Sequence, residues 1–71
     1  MNLRIGSVIQ KLRKLKGLTQ EQLADSIGVS KAAVSKWESG STYPDITLLS
    51  PIARLLGTTV DGLLELSLIH I

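Results

Sequence analysis

Lys31, Ala32, Ser35 and Lys36 fall within about 140° of arc when residues are placed at helical intervals. That flank would carry two ammonium groups, a hydroxyl and a methyl, with no large apolar side chain. Ammonium groups donate to phosphate oxygens and to the acceptor edges of bases, and a small methyl can meet another methyl, so the face suits a polyanionic partner. Little else in the chain could do chemistry. There is no cysteine, which excludes disulfides and thiolate metal sites, and the single histidine, His70, has no ligand partner of its kind. Thr59, Asp61 and His70 lie near one another in sequence, but one histidine in a terminal tail cannot complete a set of nucleophile, base and orienter. No phosphate-binding glycine loop or metal motif is present, so the chain reads as a non-enzyme with no cofactor and no evident small-molecule ligand.

Charge placement agrees with an anionic partner. Residues 1–36 hold Arg4, Lys11, Arg13, Lys14, Lys16, Lys31 and Lys36 against Glu21 and Asp25, a balance of +5. Residues 37–71 hold Arg54 against Glu38, Asp45, Asp61 and Glu65, a balance of −3. A basic half on a 71-residue body creates a one-sided positive field. The composition, 44% hydrophobic and 20% charged, suits a folded soluble domain. There is no apolar run long enough to span a bilayer and no signal-peptide pattern at the N-terminus, so a cytoplasmic location without membrane attachment is expected. Surface scaling gives roughly 4,300 Å² of accessible surface for a folded chain of this mass, a marginal core that needs well-specified elements.

Those elements are read as short helices. Ile5, Val8, Ile9, Leu12 and Leu15 trace one apolar stripe and predict a first helix from about Leu3 to Lys16, stopped at Gly17. Arg13 lies on the flank of that stripe. Thr19 and Gln22 have the spacing of a capping box, and Leu18 and Leu23 that of a hydrophobic staple, at the start of a second helix that buries Leu23, Ala24 and Ile27 and ends at Gly28. Ser30 caps a third helix, about Lys31 to Glu38, whose Ala33, Val34 and Trp37 point away from the cationic flank; Trp37 is therefore a core residue. Gly40 closes it.

Ser39 to Pro44 is a loop by composition. A fourth helix carries Leu48, Leu49, Ile52, Ala53 and Leu56 to Gly57. Pro51 leaves two alternatives: the helix begins near Leu48, or residues 45–50 form a separate tight turn. Thr59 caps a weak fifth helix from Val60 to about Leu66, with Gly62 where an acidic residue would help. Residues 1–66 form one all-α domain of five helices. The apolar tail 67–71 reads as a dimer contact, a truncation stump or a cloning scar.

Two short helices joined by a tight turn, the second with a slim polar face, form a helix-turn-helix, made here by helices 2 and 3. The series Leu15-Lys16-Gly17-Leu18-Thr19-Gln20-Glu21-Gln22-Leu23-Ala24, then Ile27-Gly28-Val29-Ser30, then Val34-Ser35-Lys36-Trp37-Glu38-Ser39-Gly40, with Tyr43-Pro44-Asp45, closely resembles the Cro and phage-repressor type of DNA-binding domain, lambda repressor-like and of the XRE family. The match covers residues 4–66. The resemblance implies a compact five-helix domain that binds a double-stranded DNA operator, usually as a homodimer, to regulate transcription. It assigns base reading to Lys31, Ala32, Ser35 and Lys36. Phosphate contact falls to Gln20, Ser30, Ser39 and Ser41, with Gln20 also bracing the reading helix and Ser30 equally an N-cap. Arg13 and Glu38 match a pair that forms a structural salt bridge. Many relatives carry a cation in the loop after the third helix, where this chain has Ser41-Thr42; modest affinity and a shallow salt slope are the expectation.

The expected function is sequence-specific binding as a bacterial or phage regulator, a repressor before an activator, dimeric through helix 5 and the tail. The alternative is a protein-interaction module, such as the DNA-binding antitoxin of a toxin pair, which would depend on an apolar surface of Leu63, Leu64 and Leu66.

Overall fold

The computed structural model describes residues 4–68, with side chains described through Leu66. The elements are α1 (Ile5–Leu15), α2 (Gln20–Ile27), α3 (Lys31–Ser39), α4 (Ile46–Leu56) and α5 (Val60–Leu68), with no strand among the described residues. The accessible surface is 4416 Å², close to the scaling expectation.

Local signals account for most of the boundaries. The Thr19 hydroxyl accepts from the Gln22 N–H at 3.0 Å while the Gln22 side chain accepts from the Thr19 N–H at 2.9 Å, so the capping box closes in both directions. Gly28, at φ +78°, ends α2 in the left-handed conformation that turns the chain toward α3. The Ser30 hydroxyl then accepts from the Ala33 N–H at 3.1 Å. At α5, Thr59 does the same for the Gly62 N–H at 2.9 Å. A side chain at position 62 would meet the Thr58 hydroxyl, so the acidic residue that favours a helix start has little room there. The backbone of α5 continues to Leu68, two residues past the expected end. Helix α1 begins at Ile5, two residues after the expected start at Leu3, because Arg4 is its non-helical N-cap; the readings placed on residues 69–71, His70 included, lie outside the described residues.

Three packing expectations are corrected. Leu15 completes the apolar spacing of α1 but is 74% exposed: it is the helix's last residue, and none of the described residues covers the end of the stripe. Neither alternative for Pro51 holds, because one helix runs from Ile46 through Pro51 to Leu56. Asp45 makes the early start possible by accepting from the Thr47 N–H at 2.9 Å and the Thr47 hydroxyl at 2.8 Å, and the helix tolerates one missing donor at Pro51. Leu63 is fully buried, so the apolar surface expected of Leu63, Leu64 and Leu66 is reduced to two half-buried leucines.

The core gathers Ile5, Val8, Ile9, Leu23, Ala24, Val34, Trp37, Ile52, Ala53, Leu56 and Leu63. Helix α1 packs against α3, α4 and α5, while α2 packs against α3 and α4. Helix α3 therefore spends its Val34 and Trp37 side on α1 and α2, and its other side remains in water.

Candidate nucleic-acid interface

Lys31, Ala32, Ser35 and Lys36 are all exposed on α3, and Ser39 extends the same face at its end. Beyond the apolar packing of Val34 and Trp37, a polar network from two other helices fixes this face. The buried Arg13 of α1 reaches the last turn of α3, with Nε donating to Glu38 Oε2 at 2.8 Å and Nη2 donating to Glu38 Oε1 at 3.0 Å. Its remaining nitrogen, Nη1, donates to the Leu18 carbonyl at 2.8 Å, in the turn that leads to α2. From the first turn of α2, Gln20 Nε2 donates to Glu38 Oε1 at 3.0 Å. One carboxylate thus joins α1, α2 and α3. The Glu38 hydrogen bonds hold the Arg13 guanidinium above its usual pKa, outweighing the opposing effect of burial. No buried side-chain nitrogen or oxygen among the described residues lacks a partner.

The hydroxyls around α3 differ in what they can still offer. Ser30 accepts a hydrogen bond from its own helix and keeps its proton free to donate outward. The Ser39 hydroxyl donates to the Lys36 carbonyl at 3.0 Å and lies 3.0 Å from the Ser41 hydroxyl. With the Ser39 proton committed, Ser41 supplies the proton of that second contact, so the pair must rotate before either can donate to a phosphate. Thr42 adds no charge at this end. The structure therefore brings Gln20, Arg13 and Glu38 together, places Ser39 beside Ser41, and leaves Lys31, Ala32, Ser35 and Lys36 separate and exposed on α3.

Sequence reasoning missed two parts of this arrangement: the Leu18 carbonyl as an Arg13 acceptor, and Gly6. The second had a signal, since a glycine in the first turn of an otherwise amphipathic helix is unfavourable unless packing requires it. Around it, a cleft of about 280 Å³ lies between the start of α1 and the end of α3, bordered by Arg4, Ser7, Ser39 and Tyr43 among others. Among the described residues no group of side chains could hold a metal ion, and no helix is long and apolar enough to cross a membrane.

Residues 9–63 match the family model described as Helix-turn-helix. An HTH-type transcriptional activator, BcrR of Enterococcus faecalis, is 50% identical over 57 residues, covering 80% of this chain and 28% of its own length. The P22 c2 repressor, solved with a synthetic operator, is 33% identical with a TM-score of 0.80, covering 86% of this chain and 92% of that one. Hydroxypropylphosphonic acid epoxidase of S. wedmorenis contains a similar unit, 25% identical with a TM-score of 0.77 over 89% of this chain and 34% of the enzyme. The fold by itself therefore does not specify an activity, and the surface must. The chain spans less than two thirds of the length of the curated relatives it matches. It belongs to the helix-turn-helix family, in its lambda repressor-like, Cro and phage-repressor branch.

Proposed function

We propose that this chain binds double-stranded DNA sequence-specifically as a transcriptional regulator, with α3 in the major groove. The observation that carries the reading is the cationic, slender face of α3, presented outward by a buried network that anchors the same helix to α1 and α2. Lys31, Ala32, Ser35 and Lys36 read base edges, the lysines donating to guanine O6 and N7 and the Ala32 methyl meeting a thymine methyl. Gln20, Ser30, Ser39 and Ser41 contact flanking phosphates, and the Arg13–Glu38 pair fixes the reading helix without touching DNA. Repression is the proposed output, supported by the likeness to the P22 c2 repressor, with activation, the role named for BcrR, as the second reading.

The proposed working form is a homodimer that meets through α5 and the following residues, acts in the cytoplasm and carries no catalytic activity. Selection of bound duplexes from a random DNA library, with recovered sites re-measured at two salt concentrations, tests the reading. Enrichment of a palindrome with half-sites about one helical turn apart is expected. Salt-sensitive binding with no enriched sequence would refute specific reading by this chain and leave only electrostatic attachment.

A further inference from the structure

We propose that Gly6 is a positioning residue for base reading: its missing side chain lets the first turn of α1 sit directly on the backbone of Trp37 and Glu38, and that seat sets the angle at which α3 presents its reading face. The proposal rests on the DNA-binding function proposed above.

Gly6 is buried and helical with no positive φ, so turn geometry does not call for glycine there. Close approach does. A Cβ at position 6 would overlap the Trp37 carbonyl oxygen and lie 2.7 Å from the Trp37 carbonyl carbon and 3.2 Å from Glu38 Cα. These are backbone atoms, which cannot swing aside as the end of a side chain can, so even alanine must push the last turn of α3 away from α1.

That turn is the one whose Glu38 side chain is already tied to Arg13 and Gln20. The end of α3 is thus fixed at two adjacent points, by backbone contact at Gly6 and by the carboxylate network. Ser35 and Lys36 immediately precede Trp37, so a displaced last turn carries them with it.

The two modes of DNA attachment respond differently to such a shift. Hydrogen bonds to base edges depend steeply on distance and angle and tolerate displacements well below an ångström. Attraction between ammonium groups and the phosphate backbone decays over about a Debye length, roughly 8–10 Å, and barely registers the same movement. Filling the seat should erode sequence discrimination while leaving non-specific binding in place.

The test compares Gly6→Ala with the unaltered chain on the duplex recovered by selection and on a random-sequence duplex, well below the melting temperature. Ile52→Val, a destabilising change in the core of α4, controls for lost stability alone. Gly6→Ala is expected to lower affinity for the selected duplex by about tenfold or more, with random-duplex affinity within about twofold of the unaltered chain and Ile52→Val unchanged on both. Equal selectivity in Gly6→Ala and the unaltered chain, or an equal loss on both duplexes, would overturn the positioning role. Should Gly6→Ala not fold in dilute buffer, the same comparison is made in a stabilising osmolyte such as trimethylamine N-oxide, with the same two readings; a variant that stays unfolded even there would overturn the positioning role in favour of a purely structural one. If the unaltered chain itself selects no sequence, the underlying DNA reading has failed, an outcome distinct from failure of the seat.

Discussion

Arg13 and Glu38, 25 residues apart in sequence, meet in a two-pronged ion pair with Nε–Oε2 at 2.8 Å and Nη2–Oε1 at 3.0 Å. Only 9% of the arginine side chain and 3% of the glutamate side chain remain accessible. Such a pair makes little net contribution beyond what well-packed apolar groups would supply, but removal of one partner leaves an uncompensated charge out of water. Glu38→Ala is therefore expected to destabilise the domain by about 3 kcal/mol, seen as a melting midpoint lower by more than about 10 °C. An unchanged midpoint would sink the structural role.

Gln20→Ala removes one further bond to the same carboxylate but leaves the ion pair. Its expected loss is about 1 kcal/mol by chemical denaturation. Because Gln20 is also proposed to hold a phosphate, the same variant should weaken binding to all duplexes alike, with no change in the preferred sequence.

The two lysines of α3 are expected to differ from Gln20 in the second respect. Lys31→Ala and Lys36→Ala should each weaken operator binding by about 1–3 kcal/mol and relax preference at a defined base pair, read by repeating the duplex selection with each variant. A uniform loss across sequences, with a salt slope smaller by about 0.9 per lysine, would assign that ammonium to a phosphate instead.

Asp45 provides the pH-dependent element at the start of α4. The Thr47 N–H and then the Thr47 hydroxyl donate to its carboxylate and hold its pKa below the usual carboxylate value. A depressed folded-state pKa gives stability that is complete above the unfolded value and is lost as pH falls through the folded one. Thermal melts between neutral pH and pH 2 should show this loss, and Asp45→Asn should flatten that acid limb while keeping a capping side chain. An acid limb identical in the variant would remove Asp45 as a contributor.

The proposed association through α5 has its own signature. Leu64 and Leu66 stay half-buried beside the core whereas Leu63 is fully enclosed. Leu66→Glu should leave the fold intact by circular dichroism and shift sedimentation toward monomer, while Leu63→Glu should unfold the domain. A monomer for the unaltered chain at high concentration, with and without DNA, would eliminate dimerisation by this route.

The sequence by itself determined the parts of this protein whose causes are local. The Thr19–Gln22 capping box, the Ser30 cap and the glycine at position 28 act within a few residues, and the apolar spacing of α1 and α3 fixes which side of each helix must be buried. The exposed quartet on α3 was legible for the same reason, since a helix period alone separates it from Val34 and Trp37. What tertiary structure decided involves partners far apart in the chain. Spacing cannot say that α1 leaves Leu15 uncovered, that α5 encloses Leu63, or that the Asp45 cap carries α4 through Pro51 in one piece. Nor can it say that one glutamate is shared by Arg13 and Gln20, or that the Trp37 backbone occupies the space a side chain at Gly6 would need. Local energies select helices and their faces; the depth at which two helices meet is set by excluded volume between atoms that only folding brings together.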